Sequence, residues 1–369
     1  MGWRRIRSQR LLLAALAIAG PIPRFGPSPG SLTVHEESGI VIYRTPAHPV
    51  PIALVVLSVM GLVPVPEASE QAVIEVTIRE GTNMAAALSP DGQTLAIDAL
   101  GRIWTLPATG GTAIALTDPE GDARQPSWSP DGTRIAFQAY WAGDYDVWAV
   151  NADGSGLAQI TSGPFDDREP HWSPDGSSIA FSSDRSGTYD IWEVALVDGE
   201  AWRLTNGGDN EYGPAYSPAG DAVAYVTDGT STGVWIRSSL GATDRVADTY
   251  SLGSSLFAVS WSPDGSRLSY NVQSYGSSQI RIVPVSPNAG SEQILSDVDE
   301  DVFPFRASWQ GSQLVYTADG QIRARLATGG AASEIPFEAT VTLERPTYRK
   351  ALRDFDDSSS RAVQGIVSP

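Results

Sequence analysis

The sequence predicts an all-β chain: a β-propeller of six four-stranded blades, preceded by a leader segment. Three observations carry that reading. Ser-Pro-Asp-Gly stands at Ser89–Gly92, Ser129–Gly132, Ser173–Gly176 and Ser262–Gly265, with a degenerate copy at Ser217–Gly220 and a weaker one at Ser308–Gly311. These turns start 40 to 46 residues apart, a period that signals stacked supersecondary units. Alternating apolar sequence follows each turn, as in Arg134-Ile135-Ala136-Phe137 and Ser178-Ile179-Ala180-Phe181, and reads as half-buried strand. Large rings recur at matched places, while helical periodicity is nearly absent.

The leader comes first. Arg4, Arg5, Arg7 and Arg10 precede the apolar run Leu11–Ala19, the pattern of a secretory signal. A second apolar run, Ile52–Val63, ends at the small residues of Pro64–Ser69. Neither reaches the roughly 18 residues that span a bilayer. Residues 1–70 are therefore expected to be an export leader, largely disordered, with Ile52–Val63 as the export core and the true start downstream. The expected destination is the periplasm or the outside of the cell. Gly26-Pro27-Ser28-Pro29-Gly30 matches the G-x-S-x-G nucleophile elbow in letters alone, because proline on both sides of Ser28 forbids the helix that the elbow needs.

The propeller is expected over residues 71–345. Val73–Arg79 alternates and is a candidate for the strand that latches the ring shut. In the first five units proline pre-sets the turn, and glycine takes the positive φ that closes it. A ring stands in front of the turn (Trp128, Trp172, Tyr216, Trp261), a third strand brings another (Trp104, Trp148, Trp192, Trp235), and a fourth ends in sequences such as Gln159-Ile160-Thr161 and Arg203-Leu204-Thr205. Such rings hide best between stacked blades, so inter-blade packing is their expected role. Trp141 and Trp202 fall outside the repeat positions. A seventh blade, shared between Val73–Arg79 and the tail, is the alternative count.

Strand order puts the Ser-Pro-Asp-Gly turns on one face. The loops between second and third strands, and between blades, lie on the other face, which carries more charge. Function tends to sit on loops held by a rigid scaffold. The candidate binding residues are Asp166, Asp167, Arg168, Glu169 and His171, with Asp122, Arg124, Asp184, Arg185 and Glu211 around them. His171 is expected to face the channel or a blade interface. No catalytic residue is assigned, and no calcium-loop spacing or other metal motif is present.

Composition narrows the function. The net charge of −18 disfavours nucleic acid and anionic membranes as partners. The lack of cysteine excludes disulfides, thiolate metal sites and cysteine catalysis. With three histidines, one of them in the repeats, a catalytic triad or zinc cluster has little to draw on. No cofactor is called for.

A ring before Ser-Pro-Asp-Gly, then Ile-Ala-Phe, then Asp-Arg-Ser-Gly-Thr-Tyr-Asp-Ile-Trp at Asp184–Trp192 and Arg203-Leu204-Thr205, resembles the PD40 repeat of TolB-like propellers. The likeness covers about residues 81–338, and the Gly-His and Trp-Asp signatures of WD40 repeats are missing. It implies a fold more than a function. Such propellers serve as periplasmic interaction modules, or as non-catalytic domains ahead of amidohydrolase or prolyl-oligopeptidase-type catalytic domains. Residues 346–369 read as a linker and the cut start of a further repeat, since Val367-Ser368-Pro369 approaches another such turn. This tail resembles the segment that joins two repeat sets in exported amidohydrolases. The resemblance implies a non-catalytic binding or scaffold module at the amino end of a longer exported protein. Its partner would be a protein, a peptide or its own missing catalytic domain. The alternatives are a peptidase- or glycosidase-type hydrolase acting through the acidic loops, and a periplasmic interaction protein.

Overall fold

The computed structural model describes residues 71–346, apart from 142, 249–253 and 287–289, together with the short hairpin Leu32–Val34 and Val41–Tyr43. Both leader runs, the Gly26–Gly30 match and the 347–369 tail lie outside the described residues. The chain divides into two units, 1–70 and 71–369.

In the second unit six four-stranded antiparallel sheets follow one another along the chain. Their first strands are Ala86–Leu88, Arg124–Trp128, Asp167–Trp172, Asn210–Tyr216, Ser255–Trp261 and Ser308–Gln310. Each first strand touches the first strand of the next blade, and the sixth touches the first. The first strands thus form a closed inner ring, and the structure is the propeller that the turns predict.

The recurring turn is stabilised locally and between blades. In each full copy the serine hydroxyl donates to the aspartate 2.6 Å away, as from Ser173 to Asp175, and accepts the N–H that opens the second strand, as from Ser178 at 3.0 Å. The degenerate copy keeps this geometry by substitution: Ala219 stands at the aspartate position, and Ser217 bonds Asp221 instead at 2.7 Å. Gly176 adopts φ +72° and sits where a Cβ would lie 3.4 Å from Pro130 of the preceding blade. The turns therefore stack on one another around the ring.

The rings stitch the blades together. The indole N–H of Trp128, Trp172 and Trp261 donates to the carbonyls of Ala87, Ser127 and Ala215 in the preceding blade, at 3.0, 3.1 and 3.0 Å. In the first three blades a threonine two residues past the fourth strand also has a role. The hydroxyls of Thr117, Thr161 and Thr205 accept the buried N–H groups of Ile103, Val147 and Ile191 at 3.0, 2.9 and 2.8 Å. A short outer strand is thereby pinned just past its end. Of the two tryptophans outside the repeat, Trp141 packs edge-on against Phe137 and Trp148 and covers Gly121, where a Cβ would lie 2.1 Å from its ring. Trp202 is exposed.

Two expectations are corrected. The sixth turn is not Ser308–Gly311. Trp309 pairs with Leu314 as Trp128 pairs with Ile135, so Trp309 takes the ring position and the hairpin closes through Gly311 and Ser312 between Gln310 and Gln313. Nor does the strand Gln71–Ile78 latch a blade directly. It forms an antiparallel ribbon with Phe337–Pro346, whose first residues run parallel to Gly111–Thr112 at the outer edge of the first blade. No seventh four-stranded blade forms among the described residues. The ring closes through a shared core in which Val315, Ile322 and Ala324 of the sixth blade meet Leu95, Ile97 and Trp104 of the first, with Phe337 and Val341 of the closing strand.

Candidate functional site

The first strands carry a repeated bulge. Three residues before the ring, Gln125, Glu169, Gly213 and Ala258 all adopt left-handed φ, from +54° to +62°. At three of the four, a side chain of the preceding blade's second strand takes up the N–H of the bulge. Asp98 accepts from Gln125 at 2.6 Å, Gln138 from Glu169 at 3.0 Å, and Ser182 from Gly213 at 3.0 Å. Asp98 also accepts from Ala85 at 2.7 Å, and burial pushes its carboxyl up to about 7.

Once the sixth turn is placed correctly, Arg306 falls three residues before its ring, at the bulge position. Its guanidinium donates to the carbonyls of Pro170, Pro214 and Val259 at 3.3, 2.8 and 3.2 Å, bridging the first strands of three other blades. Burial lowers its pKa to about 10. Two predicted residues meet it here. Glu169 accepts from Ser182 at 2.9 Å and from the Gly213 N–H at 2.6 Å. His171 Nδ1 accepts the Tyr216 N–H at 3.3 Å, and burial, then the Arg306 charge, lowers its pKa to about 3, so it is neutral. His171 and Arg306 each keep part of their surface accessible. Sequence reading missed Arg306, although Trp309 was the signal for it.

The other predicted residues lie on the loop face, in repeated pairs. Asp166 receives the Tyr145 N–H at 3.1 Å, the Arg168 guanidinium at 2.7 Å and the Tyr189 hydroxyl at 3.1 Å. Burial raises its carboxyl, but these donors outweigh it and leave the pKa below the usual range. Arg168 stacks over Tyr145 at 4.5 Å and lies 6.0 Å from the Tyr189 ring. Asp122 receives Arg124 at 3.0 Å and the Tyr145 hydroxyl at 3.3 Å. Tyr140 packs on Tyr145 and Tyr189 on Tyr212, with centroids 5.3 and 5.0 Å apart. The result is a strip of tyrosines with Arg168 at its centre. Asp184 accepts the Asp166 N–H at 3.0 Å.

Asp167 and Glu211 belong elsewhere. Both are buried, with exposures of 0 % and 3 %. Burial raises both carboxyls, and Asp167 pairs with Arg185 at 2.5 Å. Asp146, beside Asp167, is pushed up to about 6, first by burial and then by its neighbour's charge. Glu300, one of the acidic loop residues, is also buried; it receives Arg323 and Arg325 at 2.6 and 2.8 Å. Among the described residues no three acidic or histidine side chains converge as a metal site. No helix among them is long and apolar enough to cross a membrane.

Comparison with known proteins agrees with this geometry. Residues 102–249 match the TolB beta propeller domain, PD40. No curated protein sequence matches the chain significantly. TolB from Acinetobacter baumannii is similar in structure, with 19 % identity and a TM-score of 0.55 over 76 % of this chain and 68 % of that one. A chain of the nidogen/laminin complex aligns with 12 % identity and a TM-score of 0.52, over 70 % of this chain and 97 % of that one. A puromycin-hydrolyzing peptidase of Mycobacterium tuberculosis aligns with 14 % identity and a TM-score of 0.50, over 70 % of this chain but 45 % of its own. At these identities the likeness is one of fold.

Proposed function

We propose that this TolB-like PD40 propeller is a non-catalytic binding module. It holds a segment of protein or peptide on its loop face, across Tyr140, Tyr145, Arg168, Tyr189 and Tyr212. Its working place is the periplasm or the cell exterior, as the amino-terminal part of a longer exported amidohydrolase-like protein. The partner is a separate protein or the catalytic domain of that longer chain.

The observation that carries this reading is Arg168 set between Tyr145 and Tyr189 with Asp166 beneath it. Tyrosine and arginine on rigid strands dominate protein-binding surfaces, because each offers apolar area and a polar tip at small entropic cost. Two carboxylates of this face, Asp122 and Asp166, are engaged by arginines, tyrosines and, at Asp166, a backbone N–H group.

The hydrolase alternative has one observation in its favour: the raised carboxyls of Asp146 and Asp167. Both are buried, at 2 % and 0 % exposure, so a substrate would have to displace the blade interface to reach them. A displayed random-peptide library, selected on the full chain and re-screened on Tyr145→Ala and Arg168→Ala, tests the binding reading. Peptides that lose affinity for both variants support it. Selected peptides indifferent to both, or peptidase or glycosidase turnover abolished by Asp167→Ala, would overturn it.

A further inference from the structure

Two neighbouring blade interfaces carry the same pocket, and one of them is filled by the chain itself. Between the second and third blades, Arg185 turns in from the loop after the second strand and pairs with buried Asp167 at 2.5 Å. Its guanidinium stacks over Phe165, Phe181 and Trp192, at 5.5, 5.1 and 5.0 Å.

One blade on, the register reproduces the walls. Asp167 pairs across its sheet with Ser183, and Glu211 with Thr227; Phe181 pairs with Trp192, and Tyr225 with Trp235. No arginine enters from the loop after the second strand. Where the third blade has Ser183-Asp184-Arg185, the fourth has Thr227-Asp228-Gly229. What remains is a cavity of about 580 Å³ lined by Glu211, Tyr225, Trp235 and Arg237. Glu211 is 3 % exposed, and its Oε2 meets no hydrogen-bond partner.

We propose that this cavity binds the guanidinium group of an arginine, held by Glu211 between the rings of Tyr225 and Trp235. The chain's own Arg185 is the template for the contact, since a planar cation against aromatic faces with a buried carboxylate behind it suits guanidinium better than ammonium. The other charges around the cavity fit this occupant. Arg203 is committed to Asp190 at 2.6 Å, and Asp209 to the Thr230–Ser231 loop. Arg245, 5.5 Å from the Trp235 ring, is exposed and does not line the cavity. Arg237 lines it and makes no ion pair among the described residues, so it is placed to take a carboxylate. The occupant is thus arginine bearing a free carboxylate, either as the amino acid or as the last residue of a peptide. The inference uses none of the tyrosine-strip residues and stands apart from the strip as a binding surface.

Calorimetric titration of the full chain with L-arginine, L-citrulline, L-lysine and glycyl-glycyl-arginine tests it. Arginine or the peptide should bind, whichever binds tighter identifying the source, with citrulline and lysine weaker by about tenfold or more. Glu211→Gln should cost about tenfold or more in arginine affinity, because the counter-charge is lost. Arg237→Ala should weaken arginine but leave Nα-acetyl-arginine amide unchanged. Should Glu211→Gln fail to fold, the Trp235 indole N–H resonance of the unaltered chain supplies the readout, and it should move with arginine and not with citrulline. Arg168→Ala, which probes the tyrosine strip, should leave arginine binding intact. No binding of either arginine ligand up to about 10 mM, equal binding of citrulline, or an unaffected Glu211→Gln variant would overturn the proposal.

Discussion

The Arg306 guanidinium donates to the carbonyl of Pro214 at 2.8 Å, and the same group reaches Pro170 and Val259. One side chain from the sixth blade thus bridges the first strands of the third, fourth and fifth. Hydrogen bonds from a charged donor contribute about 1.5–3 kcal/mol each when buried. Arg306→Met should therefore lower unfolding stability by about 2–4 kcal/mol. Arg306→Lys should recover part of that, because a single ammonium cannot span three carbonyls. Urea denaturation of both variants checks this, and a Lys variant as stable as the native chain contradicts it.

His171 and Asp98 should give the propeller opposing pH responses. The folded state holds the His171 pKa at about 3 against an ordinary 6.5, so the unfolded chain takes the proton first. The stability from its neutrality is present above about pH 6.5 and is lost as pH falls toward 3. Asp98 is held up to about 7 against 3.8, so the folded state keeps the proton longer. Its contribution is full below about pH 3.8 and is lost as pH rises toward 7. Each slope is at most about 1.4 kcal/mol per pH unit. Compared with the native chain, His171→Gln should gain stability from pH 7 to pH 5, and Asp98→Asn should lose it. Unfolding free energies at the two pH values settle the signs.

Thr161→Val should cost about 1–3 kcal/mol, because it orphans the buried Val147 N–H while keeping the shape of the side chain. Thr161→Ser keeps the hydroxyl and should recover most of the loss. Amide exchange at Val147 should quicken in the valine variant alone.

The fold was legible because its cause is local. Ser, Pro, Asp and Gly form a turn within a few residues of one another, and the beat of those turns dictates the rest. The site was less so, because its partners are distant. Asp167 and Arg185 were both named from sequence, yet nothing local says that they meet across a hairpin or that Asp167 is buried. Arg306 was hidden by aligning the sixth unit on Ser308 instead of Trp309. The loop is two residues shorter there, and the shift moves every position ahead of it. Glu211 looked like a loop acid until its register with Thr227 placed it opposite a missing arginine.

That missing arginine leads to a rescue experiment on the filled interface. Arg185→Gly should turn the second-to-third interface into a copy of the next one, leaving Asp167 buried without its guanidinium. Breaking a buried ion pair from one side costs about 3–5 kcal/mol, and the stacking on Phe165, Phe181 and Trp192 goes with it. The melting temperature should fall. Because the lost group is a discrete cation, millimolar ethylguanidinium should restore part of it, while ethylammonium should restore less. Guanidinium compounds denature proteins in general, so the native chain serves as the control and should only be destabilised by the same additive. Rescue confined to the variant would show that these walls accept a free guanidinium. An Arg185→Gly chain that responds to ethylguanidinium as the native chain does would remove the template on which the arginine pocket of the fourth blade is argued.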